Sequence, residues 1–67
     1  MQRNDKKLKV IAIIPAYNEE GKVGNVVKKT SPYVDRVLVI DDGSNDYTYN
    51  EANFSGAVVI KHIENMG

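Results

Sequence analysis

Three short apolar runs, 9–15 (KVIAIIP), 36–41 (RVLVID) and 57–62 (AVVIKH), punctuate an otherwise polar chain. They are continuous rather than alternating and rich in β-branched residues, the pattern of strands buried on both faces of a parallel sheet. Between the first two runs, Val23, Val26, Val27 and Thr30 recur at i, i+3, i+4 and i+7, one helical stripe. Asn18 is the expected N-cap of that helix. Glu19 and Glu20 suit its positive end, Lys28 and Lys29 its negative end, and Pro32 stops it. Gly21 and Gly24 weaken it. Residues 44–56 read as a second, weaker helix, capped by Ser44 or Asp46, with Tyr49, Ala52 and Phe54 facing inward and Gly56 closing it. The predicted order is β-α-β-α-β, a Rossmann-like α/β fold with a three-stranded parallel sheet.

That order has a consequence for packing. Strand–helix–strand crossovers in a parallel sheet are almost always right-handed, so strands added in one direction place both helices on the same face. The opposite face, half the side chains of Val10–Ile14, Val37–Ile40 and Val58–Ile60, is then bare, and a bare apolar face is not viable in water. The chain is therefore expected to be incomplete, the missing cover being more sequence, a second chain or a self-associated copy.

Composition narrows the class. With 67 residues the chain is one domain at most, and a domain this size buries only about 60% of the surface its unfolded form exposes. There is no cysteine and a single histidine, which excludes a disulfide scaffold and a zinc site. Nine basic and nine acidic residues cancel, leaving no electrostatic footprint for nucleic acid. Residues 1–8 read as a solvated tail and 9–67 as the domain. The run Val10–Ile14 is too short for a signal-peptide core or a membrane span, and the expected compartment is the cytoplasm.

In open parallel sheets, ligands bind outside the carboxyl ends of the strands. The unusual polar stretches PAYNEE, DDGS and HIENMG all fall there. Tyr17 either covers the sheet edge or offers a flat face to a nucleobase. Glu19 is a first-turn helix acid or a ligand group. Asp41 and Asp42, adjacent on an extended strand, point to opposite sides, so one braces the loop while the other faces the crevice. A carboxylate there accepts the imide N–H of uracil, an N–H of guanine, or ribose hydroxyls. Two carboxylates on opposite sides do not make a metal site. Ser44 reads as a cap rather than a nucleophile, and His62 as a strand-end surface residue.

Taken together, IIPAYNEE, VLVIDDGSNDYT and VIKHIENMG, in this order and spacing, resemble the N-terminal nucleotide-binding half of family 2 glycosyltransferases of the GT-A fold, most of all the dolichyl-phosphate sugar synthase-like branch. The resemblance runs from Lys9 to Gly67. It implies an enzyme that moves a sugar from a UDP- or GDP-sugar to an acceptor with inversion. It also implies that Pro15, Ala16 and Tyr17 line the base, with Tyr17 stacking, and that Glu19 lies near ribose and base. By the same resemblance Asp42 is expected to accept from the base N–H, Asp41 to support the strand tip and touch the nucleotide, and Asn65 and Gly67 to begin a closing segment. The family's DxD motif, which holds Mg²⁺ or Mn²⁺ on the diphosphate, and its general base would lie further on. None of the chain's own residues is expected to bind the metal or act as base, and the 67 residues alone are expected to be inactive. Tyr47 departs from the small residue usual at its position. The alternative is a non-catalytic nucleotide- or partner-binding module. A receiver-like domain lacks its further aspartate after the third run, and a nucleotidyltransferase would favour a basic, glycine-rich loop where PAYNEE stands.

Overall fold

A computed structural model describes residues 9–62. Strand β1 (Ile11–Ala16), helix α1 (Val23–Thr30), a 3₁₀ turn (Ser31–Tyr33), strand β2 (Arg36–Asp41), helix α2 (Thr48–Phe54) and strand β3 (Val58–Lys61) follow in that order. The sheet is parallel, ordered β1-β2-β3, with Ile11 opposite Arg36, Ala16 opposite Asp41, and Asp41 opposite Lys61. Asp35 ties the start of β1 to that of β2: its carboxylate accepts from the Val10 amide at 2.7 Å and its amide donates to the Val10 carbonyl at 2.8 Å.

Both helices lie on one face. The core there is Ala16, Val23, Val27, Val37, Val39, Ala52 and Ala57, with Ile14, Val34 and Val59 packed against it. The helical stripe expected from the sequence divides: Val23 and Val27 are buried, whereas Val26 is 44% exposed at the rim. Phe54, expected to face inward, is 92% exposed, and Thr48 and Ala52 are the buried residues of α2. With a turn of 3.6 residues, positions 48 and 52 share a side that 54 cannot join.

On the opposite face, Ile11, Ile13 and Pro15 of β1, Arg36, Leu38 and Ile40 of β2, and Val58 and Ile60 of β3 form an open surface; Ile13 is 64% exposed and Ile60 50%. No described element covers it. Among the described residues, both helices lie on the one face that crossover handedness requires.

The two helices meet at Gly24. A Cβ there would sit 2.8 Å from Ser55 Oγ, 2.9 Å from Glu51 Oε2 and 3.1 Å from Glu51 Cγ. The glycine that weakens α1 in isolation is what lets α2 approach it. Alanine gains about 1 kcal/mol of helix propensity. It must also push a carboxylate off the Gly24 amide, and hydrogen bonds to a charged group contribute about 1.5–3 kcal/mol each. Gly24→Ala should therefore lower stability, by about 1–2 kcal/mol, against the propensity trend, as a shift in urea midpoint would record.

Candidate functional site

The carboxyl ends of the strands carry a transverse row of three exposed polar residues. The Asp42 amide donates to the Ala16 carbonyl at 2.9 Å and the His62 amide to the Asp41 carbonyl at 2.7 Å, so Tyr17, Asp42 and His62 stand side by side one residue beyond the ladder. Tyr17 is 54% exposed. His62 Nδ1 lies 2.8 Å from Asp42 Oδ1, with both side chains more than half exposed. His62 thus engages Asp42, a link across 20 residues that no local pattern announces.

Asp41 takes the other side, as alternation requires. It is fully buried, and its Oδ1 accepts from the Ser44 amide at 3.1 Å, closing the turn in which Gly43 has a φ of +78°. Its Oδ2 has no hydrogen-bond partner among the described residues. Enclosed in this way, Asp41 braces the strand tip. Ala16 is also buried, and Pro15 lies on the open face. Glu19 is half-buried; it lines a small hollow of about 220 Å³ at the outer edge of β1 with Pro15, Lys22 and Val26, off the row. Of the six residues expected at a ligand, Tyr17 and Asp42 are brought together in the open, Pro15 and Ala16 lead into them, and Asp41 and Glu19 stand behind or aside. Asn65 and Gly67 lie outside the described residues.

Behind the row, the loop after β1 and the loop after β2 are laced together. Four side chains from the second βα unit accept from backbone N–H groups of the first. Ser44 Oγ accepts from Asn18 at 2.8 Å, Thr48 Oγ1 from Glu19 at 2.7 Å, and Asp46 Oδ2 from Glu20 at 3.2 Å. The two Glu51 oxygens accept from Gly21 and Gly24, both at 2.7 Å. In return, Asn18 Oδ1 accepts from the Asn45 amide at 2.9 Å and Glu20 Oε1 from the Tyr47 amide at 3.2 Å. Asn18 itself is left-handed, with φ +50°, a region asparagine visits more readily than most residues. It is therefore not the N-cap of α1. That helix begins later, at Val23, and receives its cap from Glu51 of the neighbouring helix. Nor does Ser44 cap α2; its hydroxyl serves the first loop. Asp46 does hold the start of α2, accepting from the Thr48 amide at 2.9 Å and from the Thr48 hydroxyl.

These contacts, foremost the Thr48 hydroxyl and then the Thr48 and Glu20 amides, hold the Asp46 carboxyl below its ordinary value of 3.8, with partial burial pulling the other way. A group with a depressed folded value contributes stability above its unfolded value, and that contribution is lost as pH falls through the folded one. Below about pH 4 the start of α2 should loosen, and Asp46→Asn should flatten that part of the acid titration, read from the Thr48 amide shift.

Among the described residues no group of three His, Asp or Glu side chains is placed to hold a metal ion, and no helix is long and apolar enough to cross a membrane. Asp41 and Asp42 face opposite ways, so these two carboxylates do not converge on one cation.

This arrangement is an α/β domain with a parallel sheet and with acidic and aromatic residues at the carboxyl ends of its first strands. The chain belongs to glycosyl transferase family 2, whose model matches residues 11–67. It is 38% identical over 63 residues to an uncharacterised protein of Methanocaldococcus jannaschii, covering 91% of this chain and 26% of that protein. It is also 46% identical over 41 residues to a UDP-N-acetylglucosamine–dolichyl-phosphate N-acetylglucosaminyltransferase of Methanococcus voltae, covering 60% of this chain and 16% of the relative. The crystal structure of Mycobacterium tuberculosis glucosyl-3-phosphoglycerate synthase superposes with a TM-score of 0.70 at 38% identity, over 79% of this chain and 22% of that one. The same enzyme has been crystallised with Mn²⁺, UDP-glucose and phosphoglyceric acid, and with Mg²⁺ and UDP. The fold is the N-terminal part of a GT-A domain, and the chain spans about a quarter or less of the length of these relatives.

Proposed function

We propose that this chain forms the nucleotide side of the donor site of an inverting, cytoplasmic sugar transferase that uses a UDP- or GDP-sugar. The observation that carries the reading is the exposed row Tyr17–Asp42–His62 at the carboxyl ends of three parallel strands. Tyr17 offers a ring face to the base, and stacking on an aromatic side chain contributes about 1–3 kcal/mol per base. Asp42 accepts the imide N–H of uracil or the N1–H and amino group of guanine. His62 shares the Asp42 carboxylate and must yield one oxygen to an arriving base. Pro15 and Ala16 set the floor beneath Tyr17. Asp41 and Glu19 act through the turn and the loop they hold rather than by touching the nucleotide. Metal on the diphosphate and the base that activates the acceptor come from outside these residues. By themselves the 67 residues bind without turning over.

The test is an amide ¹H–¹⁵N spectrum of the chain titrated with UDP and then GDP, with and without Mg²⁺. Shifts at Tyr17, Asp42 and His62 with one nucleotide, indifferent to Mg²⁺, are expected. Dispersed resonances unmoved by either nucleotide would sink the reading and favour a non-catalytic partner-binding module.

A further inference from the structure

The two carboxylate oxygens of Asp42 are not equivalent. Oδ1 lies 2.8 Å from His62 Nδ1, and no hydrogen bond from the described residues falls on Oδ2. A carboxylate only accepts, so the His62 nitrogen that faces it carries the proton and donates. Register explains the pairing. Asp41 is level with Lys61, so residues 42 and 62 stand level one step further on, where side chains alternate to the other side. The same alternation carries the Lys61 ammonium to the helix side, 5.5 Å from the centre of the Tyr49 ring of α2. His62, and not the neighbouring cation, is the donor that Asp42 meets.

We propose that His62 makes the nucleotide site select uracil over guanine, by holding one Asp42 oxygen and leaving a single acceptor for the base. This selectivity presupposes the donor site already proposed and names its nucleotide. Uracil presents one N–H on its pairing edge, the N3 imide, between two carbonyl oxygens. Oδ2 alone satisfies it, and His62 keeps its place. Guanine presents two donors side by side, N1–H and the 2-amino group, which together call for both carboxylate oxygens. With Oδ1 taken, one of them meets a donor where it needs an acceptor, and a polar group covered without a partner is costly. Guanine that displaces His62 instead strips the imidazole of its bond to a charged acceptor. Both routes penalise guanine and spare uracil, in the way that sites built on hydrogen bonds reject ligands that leave those bonds unmade. The Asp42–His62 pair is more than half exposed, and in water such a pair contributes little. A base stacked on Tyr17 and seated against Asp42 displaces that water, so the discrimination develops in the bound state. His62 is a positioning residue: it touches Asp42 and acts on the base through it.

The test is isothermal titration of the full 67-residue chain, and of two His62 variants, with UDP and with GDP. The diphosphate is common to both ligands, and a ratio of affinities taken within one protein is unmoved by any loss of folded fraction. The wild type should bind UDP about tenfold or more tighter than GDP, the factor for one hydrogen bond to a charged group. His62→Ala should reduce that ratio by about threefold or more, through stronger binding of GDP to the freed oxygen. His62→Asn, whose amide nitrogen lies as far along the side chain as Nδ1, should retain the preference. Equal binding of the two nucleotides, a preference for GDP, or an unchanged ratio in His62→Ala would overturn the role of His62 while leaving the nucleotide site standing. A chain that binds neither would overturn the site itself, and the selectivity with it.

Discussion

Glu51→Ala should lower the stability of the chain by about 2–4 kcal/mol, because its carboxylate accepts two charge-assisted hydrogen bonds and such bonds contribute about 1.5–3 kcal/mol each. The partners are the amides of Gly21 and Gly24, both at 2.7 Å. The Gly24 amide is part-buried, whereas the Gly21 amide is exposed and accounts for the smaller share. For a domain of this length total stability is about 3–10 kcal/mol, so the loss is comparable with the whole. Glu51→Gln keeps one acceptor oxygen and should cost about half as much. Chemical denaturation followed by circular dichroism measures both. Equal midpoints for the wild type and the alanine variant would show that the cap from α2 contributes nothing.

Tyr17→Ala should leave the fold intact and weaken UDP or GDP binding by about 10- to 100-fold, the equivalent of a lost base stack. The residue is 54% exposed and forms no part of the core cluster, so a fall in affinity cannot be attributed to unfolding. Tyr17→Phe keeps the ring and should keep most of the affinity. Isothermal titration on the three proteins decides the matter. An alanine variant that binds as well as the wild type would remove Tyr17 from the site.

Much of this architecture can be read directly from the residues. The three β-branched runs fall on the three strands, and the sense of the crossovers puts α1 and α2 on one face and leaves Ile11, Ile13, Leu38, Ile40, Val58 and Ile60 on the other. Period-two alternation separates Asp41 from Asp42, sending one into the core and the other into the open. What stays hidden is set by partners far along the chain. Asn18 looks like a helix cap because asparagine before two glutamates usually is one. Its left-handed backbone instead follows from Ser44 and Asn45, 26 and 27 residues away. Gly24 looks like a flaw in α1 until Glu51 and Ser55 are set against it. Phe54 follows the apolar expectation only until the turn of α2 carries it to the outside, and the grip of His62 on Asp42 depends on the level at which β3 enters the sheet.

The lacing of the two loops bears on how order is distributed in the molecule. Its bonds from the first loop span 26 to 30 residues of sequence. Contacts of that separation form only after both strands and both helices are in place, because the closure entropy must be met first. The PAYNEE loop therefore has no local fluctuation of its own to melt through. Its amides should exchange with solvent by the same global opening as the middle strand, rather than by the low-energy fraying common to binding loops. Any ligand that settles against Tyr17 and Asp42 would then raise the melting temperature of the entire chain, reporting its occupancy from every residue at once.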